Sequence, residues 1–208
     1  MHFQLGRRLH DAGQLAEAEP IFRDVLAADP DHAESQHRLG LIAMQSGRME
    51  TALTAFDRAI ARRRSNALFH VHRAHALLGL GRSMDALHAA RQAQRLKPQM
   101  PEAALAVGHA LYDLFRPADA VVAYRDALRR DPQLPDLRNS LALALWDADR
   151  HAEAIAILRD IVRSAPSDVA AKQNLVGMLK DSGMLPEAEA LARDILRRRP
   201  DDAVTHFN

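Results

Sequence analysis

Residues 5–30, "LGRRLHDAGQLAEAEPIFRDVLAADP", read as two short helices joined by a turn. Leu5 and Leu9 stand four residues apart, so they share one helical face, and Gly13 ends that helix. A second helix carries Leu15, Ala18, Phe22, Val25 and Leu26 on its buried face. It closes at Asp29 and Pro30, because proline cannot continue a helix and restricts the residue before it. A hairpin of this size buries its apolar faces only against a neighbour, so the next question is what the neighbour is.

The neighbour is another copy. Steps of 34 residues from Ala18 reach Ala52, Ala86, Ala120, Ala154 and Ala188. From Leu9 they reach Ala43, Leu77, Leu111, Leu145 and Leu179; from Pro30 they reach Arg64, Pro98, Pro132, Pro166 and Pro200. The turn column reads Gly13, Gly47, Gly81, Phe115, Asp149 and Gly183. Gly6, Gly40, Ala74, Gly108 and Ala142 make a small column on the first helices, expected to face the alanine column where the two helices cross closely. Asp31, Ser65, Asp168 and Asp202 stand where caps of the following helices belong. Arg62 to Arg64, Arg129 and Arg130, and Arg197 to Arg199 fall at second-helix ends, where a cation complements the helix dipole by about 0.3–1 kcal/mol.

Composition narrows the function classes. The chain has 208 residues, 48% of them hydrophobic, which is enough apolar side chain for a sizeable core. Aromatics make up only 4%, which favours closely packed helices over sheet. Twenty-eight basic and 27 acidic residues nearly cancel, and no aromatic platform is interleaved with the basic runs, so no nucleic-acid partner is expected. The absence of cysteine excludes disulfides, thiol catalysis and cysteine-ligated zinc. No segment approaches the length of a membrane span, and residues 1–13 hold no signal-like apolar run. The expected setting is the cytoplasm, or the periplasm if a leader has been removed, with no membrane insertion.

The columns together resemble the tetratricopeptide repeat. The family's run of a Leu-Gly pair, a large residue three on, a turn Gly, an Ala, an aromatic, an Ala and a Pro is matched by Leu39, Gly40, Gly47, Ala52, Phe56 and Ala59. It is matched again by Gly108, Leu111, Ala120, Tyr124, Ala127 and Pro132. The resemblance covers the whole chain in about six units: 1–32, 33–66, 67–100, 101–134, 135–168 and 169–202. Residues 203–208 begin a further helix. It implies an all-α, right-handed α-solenoid whose first helices line a concave groove. Groove positions carried over unit by unit are His37, Arg38, Leu41, Met44, His72, His75, His109, Tyr112, Asn139, Leu143, Trp146 and Asn174. His70, in the column of the family's Trp, is expected to pack against the neighbouring helix.

Departures from the pattern carry expectations too. Arg73 replaces an apolar residue and Arg64 replaces the closing Pro, which predicts altered geometry between the second and third units. Phe tolerates a left-handed backbone poorly, which predicts another conformation for the turn at Phe115, with Pro117 opening the next helix. Val176 widens the close crossing in the last unit. The Lys/Asn/Arg clamp by which chaperone-tail binders hold a terminal carboxylate is not met. The asparagine ladder of O-linked N-acetylglucosamine transferases has one rung, Asn174.

The stretch "HVHRAHALLG", residues 70–79, places three histidines in six residues. At about 100° per residue, His70 and His72 point to opposite sides of a helix while His72 and His75 are neighbours. His109 lies 34 residues after His75, in the same column of the next first helix. No carboxylate completes a ligand set and no His-Glu-x-x-His pattern exists, so groove polarity is favoured over a metal. No nucleophile stands in register with an Asp and a His, and no Gly-rich loop cradles phosphate. No catalytic residue and no cofactor are expected.

The function expected is that of a scaffold or adaptor holding a peptide or partner-protein segment. The alternative is the substrate-recognition arm of a larger bacterial glycosyl- or sulfotransferase, which residues 16–60 resemble in such proteins' repeats. One further expectation concerns the end of the chain. "AVTHFN", residues 203–208, is too short to cover the apolar face of Leu175, Leu179, Leu191 and Ile195, which predicts self-association through that face.

Overall fold

The computed structural model describes residues 2–134 and 136–198. These form twelve helices: α1 (His2–Asp11), α2 (Leu15–Ala28), α3 (Ala33–Gln45), α4 (Met49–Arg62), α5 (Ala67–Gly79), α6 (Ser83–Leu96), α7 (Pro101–Asp113), α8 (Pro117–Arg130), α9 (Leu137–Asp147), α10 (His151–Ser164), α11 (Val169–Asp181) and α12 (Leu185–Arg198). No strand occurs among the described residues. The fold class is all-α, and the second helices begin at Leu15, Met49, Ser83, Pro117, His151 and Leu185, each 34 residues after the last.

The chain divides into two compact units, one ending at Phe115 and the other starting at Arg116. In the N-terminal unit α1 packs on α2, α3 on α4 and α5 on α6, while α3, α5 and α7 each pack on the helix before them. The first helices α1, α3, α5 and α7 are also successive neighbours. In the C-terminal unit α9 packs between α8 and α10, α11 between α10 and α12, and α9 touches α11. All six alanines of the repeating column are fully buried.

In α3, Gly40 lies against the Phe56 ring of α4; a Cβ there would come within 2.7 Å of Cδ1. Gly6 meets Phe22 in the same way, with 3.0 Å to Cε1. The bulk of the aromatic demands the missing side chain, so the two columns are complementary shapes across one crossing. Val176, in the equivalent column of the last unit, packs instead against Ala192 and Ile195.

Several local expectations need correction. The turn at Phe115 does not change conformation. Phe115 takes φ 56° and Asp149 φ 59°, close to the 69° to 78° of Gly13, Gly47, Gly81 and Gly183. The helical hairpin imposes the left-handed residue, and Phe115 accommodates it by turning its ring outward, 94% exposed. Pro117 does open the next helix. Ahead of Arg64, the residue closing α4, Arg63 (φ −135°, ψ 74°), matches Asp29 (−136°, 88°) and Lys97 (−140°, 82°). The caps of α3 and α5 are His32 and Asn66, one residue after Asp31 and Ser65, whereas Asp168 caps α11 as expected through the Ala171 amide at 2.9 Å. Leu175, Leu179 and Ile195 are buried and Leu191 is half-buried, so the apolar face expected to lie open is covered. That removes the reason for expecting self-association there. Asp202 and residues 203–208 lie outside the described residues.

Candidate functional site

In the N-terminal unit the first helices bring their histidines into a row. His37 on α3 meets His72 on α5, Nε2 to Nδ1, at 2.7 Å. The rings of His72 and His75 are 6.2 Å apart, and those of His75 and His109 on α7 are 6.3 Å apart. The sequence separates these residues by up to 72 positions, and the repeat places them side by side. His72, His75, His109 and Tyr112 are all half-buried, with part of each side chain open to solvent.

His37 departs from its assigned role. It is only 4% exposed, stacked on Phe69 at 4.6 Å between ring centres and tilted against Phe56 at 5.7 Å. It is therefore a packing residue that supports His72 from behind rather than a surface contact. Its Nδ1 is buried with no hydrogen-bond partner. Leu41 and Met44 are half-buried and pack on the cluster of Ala43, Ala52, Phe56 and Ala76. Arg38 bonds His10 Nδ1 at 2.9 Å and donates to Asp11 at 2.7 Å, extending the polar row to α1. Sequence reasoning missed His10 and Asp11 here; the register that pairs columns on neighbouring first helices would have found them. His70 is buried, with Nε2 bonding the Arg64 carbonyl at 2.9 Å.

Burial sets the charge state of this row. Loss of hydration pushes His37 down to about 3, with His72, Arg38 and His10 adding repulsion. His72 and His75 are pushed down to about 4, again first by burial and then by the neighbouring imidazole, His75 and His109 respectively. At neutral pH all three are uncharged. A neutral imidazole carries one donor and one acceptor; in His72 the Nδ1 is engaged by His37, which leaves Nε2 to meet a peptide group. No group of three or more His, Asp or Glu among the described residues is placed to hold a metal ion. Among them no helix is long and apolar enough to cross a membrane.

In the C-terminal unit Asn174 on α11 donates to Asn139 on α9 at 3.1 Å. The two stand 35 residues apart, the same offset as His37 and His72. Trp146 lies 4.2 Å from His151 between ring centres, and Leu143 is half-buried. In the same unit Lys172, 3% exposed, is ion-paired with Asp194 of α12.

The geometry meets its counterpart in known proteins. Two models of the tetratricopeptide repeat match, one over residues 3–67, 72–135 and 105–169 and the other over 145–206. The chain belongs to the tetratricopeptide-repeat family. Repeats of this family are scaffolds that bind protein partners, not catalytic folds. Over 85 residues the chain is 32% identical to DnaJ homolog subfamily C member 3 of Rattus norvegicus, an alignment covering 41% of this chain and 17% of that one. The chain thus spans a small part of that relative. Among solved structures, the type IV pilus biogenesis factor PilW matches with a TM-score of 0.90 at 16% identity, over 98% of this chain and 94% of that one. PilF of Pseudomonas aeruginosa gives 0.82 at 17%, over 98% and 93%. A thermophilic tetratricopeptide-repeat protein of Thermus thermophilus gives 0.71 at 22%, over 86% and 97%. At these identities the likeness is one of fold.

Proposed function

We propose that this chain is an interaction scaffold, one array over residues 1–208, whose first-helix face holds an extended segment of a partner protein. In the N-terminal unit the contacts are His72, His75, His109 and Tyr112, flanked by Arg38, Leu41 and Met44. In the C-terminal unit they are Asn139, Leu143, Trp146 and Asn174. The observation that carries this reading is the ring spacing of 6.2 and 6.3 Å along the histidine row. Alternate residues of an extended chain are about 6.6–6.8 Å apart, so successive imidazoles come into register with successive outward peptide groups. The amide pair of Asn139 and Asn174 offers the same donor and acceptor chemistry.

A random peptide display library selected on the purified chain, followed by calorimetry of enriched peptides, tests this. His75→Ala and Tyr112→Ala are expected to weaken binding at least ten-fold, and peptides bound equally by all variants would count against the site. A second reading, the recognition arm of a larger bacterial glycosyl- or sulfotransferase, rests on the resemblance of residues 16–60 to the repeats of such proteins. The gene sequence following Asn208 separates the two.

A further inference from the structure

The groove reading leaves the second helices unused, and one of them breaks a charge rule that its sister repeats keep. The column of Arg23 reads Arg23, Asp57, Arg91, Arg125, Arg159 and Arg193. Four of its five arginines are ion-paired: Arg23 with Glu19, Arg125 with Glu153, Arg159 with Glu187 and Arg193 with Glu189. Arg91 on α6 has no carboxylate partner among the described residues. A second column reads Asp24, Arg58, Gln92, Asp126, Asp160 and Asp194, and its aspartates at 126 and 160 neutralise Arg129 and Arg163. On α6 that position is Gln92, so Arg95 is bonded to an uncharged amide at 2.5 Å.

These uncompensated cations face one cavity. A groove of about 630 Å³ between α4, α5 and α6 is lined by Arg91, Arg95 and His88 on one side and by Asp57, Ile60 and Arg73 on the other. Arg73, the residue that departs from the family's apolar position, reaches Asp57 at 2.6 Å. Three arginines therefore face a single carboxylate, in a chain whose net charge is only +1. We propose that this groove is a second docking surface, independent of the first-helix face, for an acidic segment of a partner protein presenting Asp or Glu side chains. Arg91 and Arg95 lie one turn apart, about 6 Å along the helix axis, and each guanidinium can take a carboxylate in a two-point hydrogen bond. Ile60, Ala89 and the arginine stems give the partner's methylenes an apolar floor. No aromatic ring other than imidazole lines the groove to stack a base, which favours a peptide over a single-stranded nucleic acid.

The test is fluorescence anisotropy with the full chain and three labelled probes at low salt: octaglutamate, octaglutamine and an eight-residue oligothymidylate. Octaglutamate is expected to bind and octaglutamine not. Arg91→Ala with Arg95→Ala should weaken octaglutamate at least ten-fold. Gln92→Asp should weaken it too, by restoring the carboxylate that sister repeats carry at that position. Arg125→Ala, whose arginine is already paired, should change binding less than two-fold. All these positions are exposed or half-buried, and circular dichroism checks that each variant folds. Equal binding of octaglutamine, tighter binding of the oligothymidylate, or an unchanged affinity in the folded Arg91/Arg95 double variant would each overturn the proposal.

Discussion

Phe115 takes a backbone angle that glycine takes in four of the sister turns, and its ring packs on nothing that a substitution would lose. A left-handed non-glycine residue carries about 1–2 kcal/mol of strain, partly offset by the greater freedom glycine gives the unfolded chain. Phe115→Gly is therefore expected to stabilise the protein by about 0.5–1 kcal/mol, read as a higher midpoint in chemical denaturation. Gly40→Ala should act in the opposite direction. Its Cβ would sit under 3 Å from the Phe56 ring, and overpacking of this kind costs about 1–3 kcal/mol. At this scale the sequence was half legible. The alanine column announced which positions are buried, but not that Gly40 answers an aromatic. The cap of α3 was misplaced by one: Asp31 pairs with Arg62 at 2.7 Å, leaving His32 to accept from the Ser35 amide.

At the scale of the element, the histidine row couples stability to pH. His37, His72 and His75 sit below their unfolded value of 6.5, at about 3, 4 and 4, so protonation favours the unfolded chain. Their contribution is fully present above pH 6.5 and is lost as pH falls toward 4. One unit below 6.5, each costs about 1.4 kcal/mol. Thermal melts at pH 7.5 and 5.5 should show a marked drop, and His72→Gln with His75→Gln should flatten it; melts independent of pH would contradict the burial of the row. A second element-scale expectation concerns Lys172. Replacing its partner by Asp194→Ala leaves a buried ammonium uncompensated and should cost about 3 kcal/mol in denaturant titration. The row itself was legible in part. The 34-residue step joined His75 to His109, but His37 fell among the ligand positions because sequence periodicity gives a face without giving depth. Only the rings of Phe56 and Phe69 reveal that His37 lies beneath that face.

For the whole molecule, the helical hairpin was fully readable because every unit repeats the same small, apolar and turn positions, so local signals reinforce one another. What a repeat protein binds is written in the positions that vary between units, and there periodicity is silent; the acid that Gln92 replaces on α6 stands out only once the sister ion pairs are seen. The central claim, that a peptide lies along His72, His75 and His109, can be read from the chain's own eleven histidines as reporters. Imidazole nitrogen-15 spectra of the labelled protein, recorded with and without a peptide enriched from the display library, locate the ligand directly. The resonances of His72, His75 and His109 should move, while His88 on the second-helix groove should stay in place. Movement confined to His88, or no movement at the three row histidines at saturating peptide, would contradict the account.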